Sequence, residues 1–238
     1  MNYSEITERK TRKTVIILIL VAALYTLYRY LGSADFFMIY LNRSLSFKDA
    51  QAFSQYYKRA AALVIIGIIP ALIVKIIFKE KLTDYGIFIK RPLIALFITL
   101  LGITVVTPFV YIGSKRPEFT AVYPLVRNAV DSPVLFLKSA VFYFFFYVGY
   151  EFCFRGFLFL GIKDDVGDWQ ALAISLLATV LLHVISPQAE MIMSIVIGIA
   201  FPIIVKKLES LWPVIFIHAY IGISFDYWVI IGNVGFYI

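Results

Sequence analysis

The chain has one cysteine, Cys153, and two histidines, His183 and His218, among 238 residues. One thiol excludes an intrachain disulfide framework and any multi-cysteine zinc or iron–sulfur site. Charged side chains make up only 16% of the chain, against about 25% in soluble domains. No internal repeat, low-complexity tract or flexible linker marks a second domain. The paired repeats and broken helices of many transporters are also missing.

Apolar residues fill the space instead. They amount to 61%, with a mean hydropathy of +0.87, where soluble domains have about 45–50%. This composition predicts one all-α membrane domain over residues 1–238, a polytopic transmembrane helix bundle. The 22 Phe and 16 Tyr suit lipid-facing and interfacial positions. About seven stretches are long enough to span, near 14–31, 60–78, 92–112, 134–160, 169–186, 190–206 and 211–232. The expectation is seven to eight transmembrane helices, since boundaries could hide one more. Residues 34–58, "ADFFMIYLNRSLSFKDAQAFSQYYK", are amphipathic and could lie on the surface or extend the second helix. The basic start and first apolar run resemble a signal peptide. However, Tyr28, Arg29 and Tyr30 fit an interface anchor, and the run reads as an uncleaved helix.

The net charge of +7 needs no nucleic-acid partner, because basic residues cluster at the ends of apolar segments. Arg9, Lys10, Arg12 and Lys13, then Lys79, Lys81, Lys90 and Arg91, then Lys206 and Lys207 all fall on one side if the N-terminus is cytoplasmic. Lys115, Arg116 and Arg127 argue weakly against that orientation. A compact chain without organelle signals points to a multi-pass protein of a bacterial cell membrane.

A charge at mid-membrane costs about 2.5–3.5 kcal/mol on insertion scales, so intramembrane ionisable groups are functional candidates. Six remain once the flanks are set aside: Glu151, Arg155, His183, Glu190, His218 and Asp226. Glu151 and Arg155 are four apart and share a helical face, and a self-neutralising ion pair would explain Arg155. Gly156 beside them admits a close neighbour. His183 is followed by Pro187 and Glu190. An unbroken helix would put His183 and Glu190 on one face. Alternatively, the proline ends the helix and Glu190 starts the next, near its N-terminal dipole. Asp226 lies eight residues after His218, roughly two turns on. Counted from the middle of each span, Glu151, His183 and His218 fall at a common depth.

Two imidazoles with carboxylates suit general-base hydrolysis with oxyanion stabilisation. They equally suit a metal site, such as zinc on His183, His218 and Glu151, or a proton relay in a transporter. Cys153 is two residues from Glu151 and points off that face, so it is a poor nucleophile candidate. The residues alone leave these alternatives open.

"EFCFRGFLF" at Glu151–Phe159 resembles the first motif of the CAAX-protease and bacteriocin-processing (CPBP or ABI) family of intramembrane endopeptidases, two glutamates followed after three residues by Arg-Gly. "LLATVLLH", ending at His183, resembles the second motif, and "SLWPVIFIH", Ser210–His218, the opening of the third. "KLTDYGI", Lys81–Ile87, resembles a segment common upstream. The resemblance covers about residues 80–230. It implies an intramembrane protease that hydrolyses a membrane-associated peptide or protein. Carried over by position, Glu151 matches the second glutamate, Arg155 the arginine that supports the pair, and His183 and His218 the two histidines. The first glutamate, held to activate water, is replaced by Tyr150, and the asparagine that helps hold the oxyanion by Gly222. Glu151, Glu190 and Asp226 are the acids available instead. "HVISPQAE" is similar to a His-x-x-x-Pro-x-x-Glu pattern in members with an aromatic residue before a lone glutamate. The resemblance implies Glu151 or Glu190 as base, His183 assisting, His218 on the oxyanion, Arg155 holding Glu151 ionised, and metal-free chemistry. A catalytically silent relative that binds membrane peptides or partner proteins is the alternative, with a transporter third. The oligomeric state is not legible in the sequence.

Overall fold

The computed structural model describes residues 3–233, and every regular element among them is helical. Helix α1 is Tyr3–Leu31, α2 Phe47–Phe78, α3 Pro92–Gly113 and α4 Pro133–Val166. Helix α5 is Asp168–Leu181, α6 Gln188–Leu208 and α7 Trp212–Asn233. Six of these are long and apolar enough to cross a membrane, while α5 is shorter. All seven expected stretches are thus helices, and among the described residues there is no eighth long apolar helix. Six such helices in one chain are the architecture of an integral membrane protein.

Local chemistry sets the helix starts. Ser46 caps α2 by accepting from the Asp49 amide at 3.2 Å, so the amphipathic residues after 46 extend the second helix. The residues before it form short helical turns, Ala34–Phe36 and Phe37–Leu41. Pro92 and Pro133 open α3 and α4, where a missing N–H costs nothing. Half of the apolar window of α7 is buried against 11% for α3. Helix α7 is therefore the central post, and α3 turns side chains such as Leu93, Phe97 and Leu100 outward to lipid.

Two departures from simple helices position the site. Residues Phe152–Leu160 of α4 are wound as π-helix, a form concentrated at functional sites. Helix α5 stops at Leu181 after fourteen residues, about 21 Å at 1.5 Å per residue and short of a hydrocarbon core of about 30 Å. The turn that follows, with His183, therefore falls within membrane depth. Irregular backbone is tolerated there only when buried in protein or lining a cavity.

Candidate active site

Glu151 is fully buried and Arg155 is 2% exposed. Glu151 Oε1 lies 2.5 Å from His218 Nδ1, and Oε2 lies 3.3 Å from Arg155 Nε. One carboxylate from α4 thus joins the α4 arginine to the α7 histidine. Nδ1 of His218 faces the Glu151 carboxylate, which leaves Nε2 as the working nitrogen. The imidazole is clamped between aromatic rings, with Tyr147 at 4.2 Å, Tyr150 at 5.5 Å and Phe201 at 5.6 Å between centroids.

His183 sits in the turn after α5. Its Nδ1 donates to the Thr179 carbonyl at 2.7 Å. A carbonyl can only accept, so Nε2 is the unprotonated nitrogen of the neutral His183 ring. Pro187 precedes the first residue of α6, and Glu190 falls in its first turn, the broken-helix alternative of the two the sequence allowed. A carboxylate there is favoured by the helix dipole. Glu190 Oε1 accepts from Ser186 Oγ at 3.2 Å and lies 3.9 Å from His183 Nε2. That gap is too long for a direct hydrogen bond, and a single water can bridge such a separation.

One cavity of about 640 Å³ joins these groups. His183, His218, Glu190 and Arg155 all line it, with Tyr147, Tyr150 and Gly222. Glu151 is sealed behind His218 and Arg155. It is thus placed to orient the histidine and not to hold water, and Tyr150, which does not turn away, walls it off. Asp226 is brought elsewhere. Its Oδ1 accepts from the Leu125 amide at 2.9 Å, and Oδ2 lies 3.9 Å from Arg59 Nη2, so it ties the α3–α4 loop to α2 and α7 without meeting His218. Among the described residues no three His, Cys, Asp or Glu side chains gather in a set that could hold a metal ion. His183, His218 and Glu151 do not form such a set, because Glu151 is spent on His218 and Arg155.

The two motif departures have physical reasons. A Cβ on Gly222 would sit 2.6 Å from the Tyr147 hydroxyl and 2.7 Å from the Tyr143 ring, so the tyrosines occupy the space an asparagine would need. Gly156, in contrast, fits its motif: a Cβ there would meet the Tyr85 carbonyl at 2.9 Å. This close approach docks the Lys81–Ile87 segment on α4. The same segment accepts from the Leu211 amide through Gly86 O at 2.8 Å and from Trp212 Nε1 through Ile87 O at 2.6 Å. Three motif segments distant in sequence are thereby locked together beneath the site.

Sequence reading missed Arg59 and the tyrosines. Arg59 is 3% exposed, lines the cavity and donates from Nη1 to Ser139 O and Oγ at 2.9 and 2.8 Å. It stands just before an apolar run and reads as a flanking charge. Tyr143 and Tyr147 precede Glu151 at intervals of four, a one-face stripe that was available as a signal.

Residues 132–223 match the family model of the type II CAAX prenyl endopeptidases, Rce1-like. No curated protein and no solved structure matches the chain. The matched segment runs from the start of α4 into α7 and contains Glu151, Arg155, His183, Glu190 and His218. It bears out the resemblance to the CPBP family of membrane proteases.

Proposed function

We propose that the protein is an intramembrane endopeptidase in which His183 and Glu190 activate water, and His218 and Tyr147 stabilise the oxyanion. The observation that carries this reading is that both imidazoles have Nδ1 tied to a protein acceptor and share one cavity with Glu190. A water between His183 Nε2 and Glu190 gives its proton to that pair as its oxygen attacks the peptide carbonyl. In its imidazolium form, which the Glu151 carboxylate favours, His218 donates from Nε2 to the developing oxyanion, and the Tyr147 hydroxyl takes the role of the asparagine absent at 222. Collapse of the tetrahedral intermediate breaks the C–N bond, and the proton held by the His183–Glu190 pair passes to the leaving amine. Arg155 pairs with Glu151, and Glu151 keeps His218 oriented. The substrate is a membrane-associated peptide or protein, and no step needs a metal.

The seclusion of Glu151 and the aromatic residue at 150 favour a second reading, a silent relative that binds membrane peptides in the same cavity. Glu190→Gln separates the two. Substrates are found by comparing membrane-peptide profiles of cells with and without the protein, and cleavage is then followed with purified enzyme. The protease reading expects Glu190→Gln to fold normally and lose about 10²–10⁴-fold in cleavage, the range for general-base catalysis. Tyr147→Phe keeps the ring and should lower kcat with KM little changed. A Glu190→Gln protein that still supports the wild-type peptide profile removes hydrolysis by this pair and leaves the binding reading.

A further inference from the structure

We propose that the open end of the cavity binds the phosphate of a membrane lipid through Arg29, Lys58 and Arg59, with the acyl chain along the apolar wall. The inference does not depend on hydrolysis at the His183–Glu190 pair.

The cavity wall is strongly asymmetric in charge. Arg29, Lys58, Arg59, Arg116 and Arg155 line it against one carboxylate, that of Glu190. Arg116 is paired with Glu118 at 3.0 Å. Among the described residues, neither Arg29 nor Lys58 takes part in an ion pair, the pairs of this end being Lys48–Asp131, Arg59–Asp226 and Arg116–Glu118. Arg29 and Arg59 both act electrostatically on Lys58, opposed by Asp35. Arg59 and Arg155 face Asp226 and Glu151 at 3.9 and 3.3 Å, so the charge left near hydrocarbon without a counter-anion, which is costly, is that of Arg29 and Lys58.

Arg59 supplies a built anion site. Its guanidinium lies 4.1 Å from the Tyr143 ring centroid and is fixed by two bonds to Ser139 through Nη1. Its Nη2 has no hydrogen-bond partner although the residue is 3% exposed, its ion-pair partner Asp226 Oδ2 lying at 3.9 Å, beyond hydrogen-bond reach. A rigid guanidinium with a spare N–H edge suits a phosphate oxygen better than a lysine does, and Lys58 adds a point charge beside it.

Depth and shape select a lipid as the source of the phosphate. Arg29 lies in the last turn of α1, where headgroups sit. Helix α2 has 32 residues, about 48 Å at 1.5 Å per residue and longer than the core of about 30 Å. Its first turns therefore project beyond hydrocarbon and bring residues 58 and 59 towards the interface. The remaining wall is apolar, with Val106, Phe109, Phe119, Ile221 and Phe225, which is where a chain would lie.

The test uses the purified full chain in neutral detergent. It reads thermal unfolding and native mass with dioleoyl phosphatidylglycerol, dioleoylglycerol or inorganic phosphate. The expected result is about one retained phosphatidylglycerol and a raised Tm, with no shift from dioleoylglycerol. Arg29→Gln with Lys58→Gln should weaken the effect at least about tenfold. Lys115→Gln, near the same end but off the cavity wall, should leave it unchanged. Arg29 is exposed, so the single variant Arg29→Gln serves if the double variant folds poorly. A full shift with inorganic phosphate alone overturns the lipid assignment. An unchanged phosphatidylglycerol response in the Arg29 and Lys58 variants overturns the site, as does an equal response to dioleoylglycerol.

Discussion

The two ends of the bundle are built on opposite plans. At the end where α1 and α7 begin, polar groups are paired within the protein. Lys13 binds Glu80 at 2.7 Å, Tyr85 donates to the same carboxylate at 2.5 Å, and Thr14 donates to Asp165 at 2.9 Å. Lys206 pairs with Asp168 and Lys90 with Glu209. Burial beside the Glu80 carboxylate pushes the Tyr85 phenol up, so it remains a donor at every physiological pH. Around the cavity, in contrast, buried Arg59 Nη2, Arg155 Nη1 and the Tyr150 hydroxyl have no hydrogen-bond partner. A buried polar group left unpaired costs about 1–3 kcal/mol. The first end satisfies its own polar groups, and the second leaves its donors facing a space that a ligand can enter.

The largest test of that contrast is Arg155→Leu. It strands the Glu151 carboxylate, and breaking one side of a buried pair costs about 3–5 kcal/mol, so folded yield in membranes should collapse. The double variant Glu151→Leu with Arg155→Leu should recover most of the yield without activity, because both buried charges then disappear. Normal yield and cleavage in Arg155→Leu would show that the pair neither stabilises nor orients anything. Next comes Gly156→Val, which forces the Tyr85 carbonyl away from α4. Overpacking of this kind costs about 1–3 kcal/mol and should appear as a lowered Tm. An unchanged Tm would mean that the Lys81–Ile87 segment is not docked as described. The smallest effect belongs to Trp212→Phe. It removes one hydrogen bond, to Ile87 O, worth about 0.5–1.5 kcal/mol, and should shift Tm slightly while cleavage stays within about twofold. A large loss of cleavage with unchanged Tm would put function at the closed end.

Much of the helical scaffold could be read directly from the sequence. Apolar runs set the helices, and Pro92, Pro133 and Ser46 set starts that local chemistry explains. The site was legible as a set of residue types but less so as geometry. Glu151, Arg155 and His218 come together as the motif spacing suggested, whereas Asp226 does not join them, because the Leu125 amide and Arg59 claim its oxygens. The π-helical winding of Phe152–Leu160 has no periodic signature, and it changes which residues of α4 share a face. The early stop of α5 was hidden because Leu182, Val184 and Ile185 are still apolar, so hydropathy carried the span past His183. Arg59 was lost for a related reason: at the edge of an apolar run, a buried arginine and an interfacial one look alike.

The central claim is that the face with Glu190 opens to water while the core behind it is closed, and a thiol-labelling experiment reads both at once. Cys153 is the only native cysteine and is fully buried, so it serves as an internal control. In the variant Glu190→Cys, a membrane-impermeant maleimide should label the introduced thiol from one side of sealed vesicles. Cys153 should stay unlabelled until the protein is denatured, and in the wild type nothing should react. An introduced thiol at 190 that resists the reagent from both sides, or a native Cys153 that reacts as fast, would contradict the account.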